Sequence, residues 1–154
     1  MTSKRRTNAS PGERDEHAPL LRAAQDLEEA MADPRPHRPH VAQRLLLKRL
    51  LVVGDCLRRH CESTEQRGGT LAELEIEIGR LYQLTAARTE HEQLLALADD
   101  LAAMLEQQED DAAAHSSFET QSRCARLADT LRIHCVSETD LIQIRFNFDV
   151  GVCD

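Results

Sequence analysis

Apolar residues return every three or four positions through most of this chain of 154 residues. The clearest stretch runs through Leu50, Val53 and Leu57, and stretches of the same spacing follow at 81–101 and 124–141. This spacing places side chains on one face of an α-helix. Outside the last dozen residues, no stretch of strand length alternates between apolar and polar positions. The pattern predicts an all-α fold.

A capping box at Ser10–Glu13, with a proline at the first helical position, predicts where the first long helix, helix A, begins. We expect helix A over about 11–32, because prolines follow and stop it. Pro19 inside this range either kinks the helix or marks a later start near Asp15. The preceding residues 1–10 are polar and basic, and we expect them to form a disordered tail.

Further capping boxes and glycine breaks predict three more helices. The box at Thr70 opens helix C, which either runs on as one helix or breaks at Gly79 and restarts. Because short links force neighbouring helices to run antiparallel, we expect an up-down-up-down antiparallel four-helix bundle as a single domain over 11–151. The expected bounds are about Pro39 to Gln66 for helix B, Thr70 to Gln107 for helix C, and Ser116 to Arg145 for helix D, with fraying beyond Arg145.

Composition narrows the class of protein. The net charge is −8, which argues against nonspecific nucleic-acid binding because such binding needs a basic surface. No apolar stretch approaches the roughly 20 residues needed to span a membrane. Five cysteines form no paired framework, which favours reduced thiols in a cytosol. We expect a soluble cytoplasmic protein of open oligomeric state, and no phosphate loop or nucleophile triad supports an enzyme class.

Two segments of the chain nearly repeat each other. Residues 57–63 and 131–137 both read Leu-Arg-x-His-Cys-x-Ser, and a Thr/Glu pair follows in opposite orders. Four residues after its histidine, the first segment has Thr64 and the second has Glu138. Because residues four apart share a helix face, each histidine and the oxygen that follows it point at one spot. Helices that present matched ligands in this way build metal sites inside four-helix bundles.

The seven histidines fall into two groups, those that lie on the apolar face of a predicted helix and those that do not. His37 and His40 are expected in a proline-rich loop and His115 in the acidic loop before helix D, and all three are interpreted as solvated loop residues. A single inward histidine is most often a hydrogen-bonded core residue, but each imidazole buried without partners costs about 1–3 kcal/mol. Four buried imidazoles would carry this cost four times, and a bound metal would remove it by giving each of them a partner. Imidazole together with carboxylate suits iron, manganese or zinc. The inward histidines, one for each helix, are His17, His60, His91 and His134.

These elements together resemble the hemerythrin-like, cation-binding four-helix domains. Residues 16–20 and 90–94 both read Glu-His-x-x-Leu, as in helices A and C of that family, and residues 134–138 match the His-x-x-x-Glu of helix D. The most specific match is 141–151, where a Leu-Ile-Gln run leads into a Phe-Asn-Phe-Asp-Val-Gly tail. The resemblance covers about residues 15–151.

This resemblance implies a non-haem metal centre that holds two iron ions, with manganese or zinc as the other metals that fit. His17 and His60 would hold one metal, and His91 and His134 the other. Glu138 would bridge the two ions. Such a centre would bind a small ligand, namely dioxygen, nitric oxide or peroxide, or would serve in sensing or in iron handling.

Two departures from the family pattern affect the expected ligands. The position four residues after His60 holds Thr64 where the family has a bridging glutamate, and Glu65 points about 100° away unless the helix is distorted. We therefore expect Glu65 as an additional candidate ligand at the edge of the centre or outside it. Ala87 stands where oxygen-carrying members have a second helix C histidine. The missing donors argue against reversible oxygen carriage and leave open coordination positions.

The alternative function is that of a degenerate bundle without stable metal, which serves as an interaction or scaffold domain. Thr64 and Ala87 are the evidence for it. A third interpretation, a purely structural bundle that resembles the family by chance, does not explain the tail of helix D. Five inward donors of suitable type make a bound metal the leading hypothesis.

The cysteines admit two interpretations as well. Cys61 and Cys135 each follow an inward histidine by one residue, so they face away from the expected ligands. We interpret them as small residues at the contacts between helices rather than as redox groups. Cys153, near the end of the chain, is the best candidate for a reactive thiol.

Overall fold

The computed structural model describes the backbone of residues 13–32, 39–78, 81–110 and 118–149, and the side chains of 17–32, 40–75, 82–108 and 118–143. Apart from a turn at 66–69 these ranges are helical and contain no strand, so the all-α prediction is confirmed for them. None of the helices within them is long and apolar enough to cross a membrane. The helices are α1 (Glu13–Ala32), α2 (Pro39–Glu65), α3 (Thr70–Ile78), α4 (Leu81–Asp110) and α5 (Phe118–Asp149).

Most helix boundaries lie where the sequence predicts them. The predicted helix C is two helices, since α3 ends at Ile78 and α4 begins at Leu81. One prediction is wrong, because α5 continues to Asp149 instead of fraying beyond Arg145. The residues between Arg145 and Asp149 are Phe-Asn-Phe, without proline or glycine, and each of them lowers helix stability by only about 0.7 kcal/mol or less.

The first helix begins at Glu13 and includes Pro19, so it starts upstream of Asp15, the later start that the proline had suggested. Other predictions concern residues outside the described ranges. They are the tail at 1–10, the cap at Ser10, the residues His37 and His115, the cap at Ser116, the last part of the helix D tail at 150–151, and Cys153.

A tight turn separates α2 from α3. Gly68 has a φ of 86°, in the left-handed region that glycine adopts without steric cost. At Gly69 a side chain would collide with the backbone carbonyl groups of Ser63 and Thr64. The Gly69 carbonyl then accepts a hydrogen bond of 3.0 Å from the amide of Glu73, in the first turn of α3. The glycine pair thus ends α2 directly after the segment that carries His60.

The four long helices pack in a closed ring, in which α1 and α4 each contact both α2 and α5. This arrangement is a helical bundle. Its core consists of leucines from all four helices, and each fully buried leucine contributes about 1.5–3 kcal/mol. The leucines with essentially no exposed surface are Leu20, Leu27, Leu50, Leu57, Leu101, Leu105, Leu127 and Leu131.

The short helix α3 packs against α2, α4 and α5 and covers a second apolar cluster. On α5, His134 and Glu138 lie between Leu131 of the main core and Ile142 of the second cluster. The polar residues are thus enclosed by apolar packing on both sides along the bundle. The second cluster consists of Leu71, Leu74, Leu84, Ala87 and Ile142.

Candidate metal centre

Each of the four long helices contributes one buried imidazole to the interior of the bundle. The ring centroids lie 5.0 Å apart for His17 and His60, 5.1 Å for His60 and His91, and 4.7 Å for His91 and His134. Glu138 is 2% exposed and lies among them. The structure therefore brings together the four inward histidines and Glu138.

The Nε2 atoms of these rings converge on the Glu138 carboxylate. Its Oε2 lies 2.7 Å from Nε2 of His17, 2.9 Å from Nε2 of His60 and 3.5 Å from Nε2 of His134. Nε2 of His91 lies 3.0 Å from Nε2 of His134. Among the described residues, suitable ligand atoms of His60, His91, His134 and Glu138 all lie within 4.8 Å of one another. His17 joins this group through its contact with Glu138.

Several buried atoms in this cluster have no hydrogen-bond partner. They are both ring nitrogens of His60 and Oε1 of Glu138. Although Nε2 of His60 is 2.9 Å from the other carboxylate oxygen, the two atoms are not aligned for a hydrogen bond. Each buried polar atom without a partner costs about 1–3 kcal/mol. A cation at the centre would satisfy Nε2 of His60 and Oε1 of Glu138, so the residues present fit a metal.

The outward Nδ1 atoms of two rings contact carboxylates. Nδ1 of His91 lies 2.5 Å from Oε1 of Glu65, and Nδ1 of His134 lies 3.0 Å from Oε2 of Glu90. Such outer carboxylates fix the orientation and tautomer of a histidine and make its other nitrogen a better ligand. The Thr139 hydroxyl makes a weaker contact, 3.5 Å from Nδ1 of His17.

The role of Glu90 was not predicted from the sequence. Spacing along one helix does not reveal this contact, because Glu90 is on α4 and its partner His134 is on α5. The available signal in the sequence was a carboxylate directly before an inward histidine. Glu90 precedes His91, and from this position its side chain reaches the next helix.

The structure also places Thr64, four residues after His60, and its neighbour Glu65. Thr64 is fully buried, and its hydroxyl donates to the backbone carbonyl groups of His60 at 3.0 Å and Cys61 at 3.3 Å. This hydroxyl is therefore directed at its own helix. Glu65 lies at the edge, where its side chain is 34% exposed and contacts the outer face of His91.

A second group of possible ligand atoms lies on that outer side. Atoms of Cys61, Glu65 and His91 fall within 4.8 Å of one another. The sequence predicts that Cys61 faces away from the inner ligands, and among the described residues it is absent from the inner group. Its thiol nevertheless lies beside two other possible ligands, a contact that spacing along the sequence does not predict.

A cavity of about 240 Å³ opens between α4 and α5 and reaches the cluster. Its lining includes Ala87 and Glu90 on one side and His134, Ser137 and Glu138 on the other. A larger side chain at position 87 would extend into this space. The cavity therefore ends against the carboxylate and one of the imidazoles, whose side chains are themselves buried.

The charges of the cluster follow from its contacts. Burial opposes ionisation of Glu138, but its close contacts with His134, His17 and His60 outweigh it and hold the pKa of this carboxyl far below its usual range. Burial also opposes the charge of His134, yet its contacts with Glu138 and Glu90 raise its pKa. Burial lowers the pKa of His91. The site thus offers an ionised carboxylate to any bound cation.

Two thiols beside the cluster are protonated at neutral pH. Burial, reinforced by nearby carboxylates, raises the pKa of Cys61 and of Cys135 to about 12. A bound metal would have to displace such a proton, because only the thiolate is a ligand.

Comparisons of the chain with protein-family models, with curated proteins and with solved structures find no match. The resemblance to hemerythrin-like domains therefore rests on the sequence elements alone.

Proposed function

We propose that this protein is a hemerythrin-like domain that binds non-haem iron in a dinuclear centre. The observation that carries the proposal is the cluster of buried imidazoles from four helices around one buried carboxylate, Glu138, whose Oε2 lies within 3.5 Å of Nε2 of three of them. In this proposal His17 and His60 hold one ion, His91 and His134 hold the other, and Glu138 bridges them. Manganese and zinc suit the same donors.

The distances among the donors support this assignment. Ligands that bind one ion at about 2.0–2.2 Å lie roughly 3 Å from one another. The contacts between Oε2 of Glu138 and the imidazoles of His17, His60 and His134 range from 2.7 to 3.5 Å. These distances are therefore close to those expected between ligands of a bound ion.

An up-down-up-down antiparallel order of the long helices is part of the proposal. It is supported by the closed ring of helix contacts and by the short segments that join the helices. In this order every long helix presents its histidine at the same level of the bundle.

A bound iron would supply redox chemistry and affinity for dioxygen, nitric oxide or peroxide. The chain itself orients the ligands, through Glu65 at His91 and Glu90 at His134. It also admits the small molecule, through the cavity beside Ala87. We propose that the domain binds or senses such a molecule, or handles iron, rather than carrying oxygen reversibly.

A second candidate function is that of a metal-free bundle that serves as an interaction or scaffold domain. It is favoured by the Thr64 hydroxyl, which is bound to its own helix and supplies no second bridge. In this case hydrogen bonds between His17 and Glu138 and between His91 and His134 take the place of metal ligation, and contacts with Glu138 and Glu90 raise the pKa of His134.

The test is the metal content and visible absorption of protein purified without chelators. We expect bound iron, and we expect His134→Ala to lower metal content and melting temperature together, because the ligands bind metal only in the folded arrangement. Cys135→Ala is the control, since Cys135 is buried next to His134 but lies outside both possible ligand groups among the described residues. If the parent and the control are both metal-free and His134→Ala melts no lower than they do, the scaffold function is the correct one.

A further inference from the structure

The outer side of His91 carries a set of donors separate from the inner centre. Cys61 and Glu65 are four residues apart on α2 and so lie on one face of that helix, opposite His91 on α4. Possible ligand atoms of all three lie within 4.8 Å of one another. The carboxylate of Glu65 already contacts Nδ1 of His91 at 2.5 Å, whereas Nε2 of the same ring is directed at the inner cluster.

We infer that Cys61, Glu65 and His91 form a second metal site, which takes a divalent cation with affinity for sulfur, such as zinc. Thiolate, carboxylate and imidazole are the three ligand types that zinc uses in proteins, and three protein ligands leave the fourth tetrahedral position for water. The inner set offers only imidazoles and a carboxylate, whereas this outer set also offers a sulfur ligand. The site shares only His91 with the inner centre.

Access to solvent distinguishes the outer site from the inner one. The Glu65 side chain is 34% exposed, whereas the Glu138 side chain has no exposed surface. A cation can therefore reach the outer site past Glu65 and retain one water molecule. Cys61 is 9% exposed and supplies the buried side of the site.

Binding at this site exchanges a proton for a cation, with no change of oxidation state. The cation displaces the S–H proton of Cys61, which leaves to solvent. The proton that Nδ1 of His91 shares with Glu65 moves to Nε2 of the same ring, so Nδ1 and the Glu65 carboxylate can both bind the cation. One proton leaves as one dication enters, and the net charge of the site rises by one. If the inner centre were also filled, the ring proton would leave as well and His91 would serve both sites as an imidazolate.

The test is a titration of the metal-free, full-length protein with Co²⁺, which reports a sulfur ligand by a sulfur-to-cobalt charge-transfer band. We expect the parent to show this band. Cys61→Ala should lose the band and bind one equivalent of Co²⁺ fewer than the parent. Glu65→Gln, a change at a partly exposed side chain that the fold tolerates, should weaken binding at the outer site at least tenfold. Cys135→Ala is the matched control and should keep both the band and the stoichiometry.

The possible outcomes separate this site from the inner centre. Co²⁺ bound without a charge-transfer band, or a band that survives in both Cys61→Ala and Glu65→Gln, overturns the outer site and leaves the inner centre standing. If the parent binds a single equivalent of Co²⁺ and Cys61→Ala removes its charge-transfer band, the outer site is supported and the inner centre is overturned. A parent protein that binds no Co²⁺ overturns both.

Discussion

The segment of α2 around His60 and the segment of α5 around His134 carry nearly the same residues but direct their carboxylates to different places. On α5, Glu138 stands four residues after the histidine and is buried in the centre of the cluster. On α2 the same position is Thr64, and the carboxylate of Glu65 comes one residue later, at the rim. Exchanging the order of threonine and glutamate thus moves a carboxylate from the inside of the bundle to its edge.

The physical reason is the rotation of about 100° per residue along a helix. A consequence is that the two cysteines have different surroundings. The residue four after Cys61 is Glu65, whereas the residue four after Cys135 is Thr139, whose hydroxyl donates to the Cys135 carbonyl at 2.7 Å. The near-repeat therefore provides one carboxylate for the inner centre and one for the outer side of His91.

The largest expected effect comes from removing the inner carboxylate. Glu138→Ala leaves the imidazoles around it without their anion, and breaking a buried ion pair in this way costs about 3–5 kcal/mol. We expect denaturant unfolding to show this loss, together with the loss of bound metal. Glu65→Ala is the matched change in the other segment and should cost no more than about 1 kcal/mol, because its carboxylate is partly exposed. Equal losses in the two variants would contradict the distinction between centre and rim.

Exchanging the pair on α2 tests whether residue order alone decides where the carboxylate points. The double change Thr64→Glu with Glu65→Thr should place a second carboxylate in the interior, next to Glu138. Without metal we expect a loss of about 1–3 kcal/mol, because a second buried carboxylate lacks partners. With metal we expect a gain in melting temperature larger than the parent shows. Calorimetry with and without added iron measures both, and an effect independent of iron would mean that the new carboxylate points elsewhere.

How far the sequence predicts this site depends on whether a contact lies within one helix. The inward positions of His60, His134 and Glu138 follow from spacing along their own helices, and the structure places all three in the interior. The contact between Glu90 and His134 joins two helices, and its geometry depends on their packing, which spacing along one chain segment does not encode. The thiol of Cys61 beside Glu65 and His91 is a contact of the same kind.

An intermediate effect is expected from the outer carboxylate on α4. Glu90→Gln removes the charge that orients His134 but keeps the size of the side chain, and such outer partners contribute about 10–100-fold to metal affinity. We expect this loss of affinity with little change in stability of the metal-free protein, since the Glu90 side chain is 47% exposed. Glu92→Gln, at an exposed position two residues along α4, is the control. Competition with a chelator of known affinity measures both variants.

The smallest effect should come from the arginine that the two segments share. Arg132 binds both carboxylate oxygens of Glu28 at 2.5 Å, and Arg58 contacts Asp55 at 3.1 Å and Asp99 at 2.5 Å. All these side chains are more than a third exposed. Replacing either arginine by glutamine should therefore cost at most about 1 kcal/mol at neutral pH and leave metal content unchanged.

The pH dependence of Arg132→Gln has a definite sign. The hydrogen bond from Arg132 lowers the pKa of Glu28 below its ordinary value. The folded protein then holds the Glu28 proton less tightly than the unfolded chain does. The pair therefore stabilises the fold fully above the pKa of Glu28 in the unfolded chain, and this stabilisation is lost as the pH falls through the lower pKa of the folded protein. The difference in unfolding free energy between parent and Arg132→Gln should be largest at neutral pH and vanish in acid. A difference that grows on acidification would show that Arg132 acts through something other than Glu28.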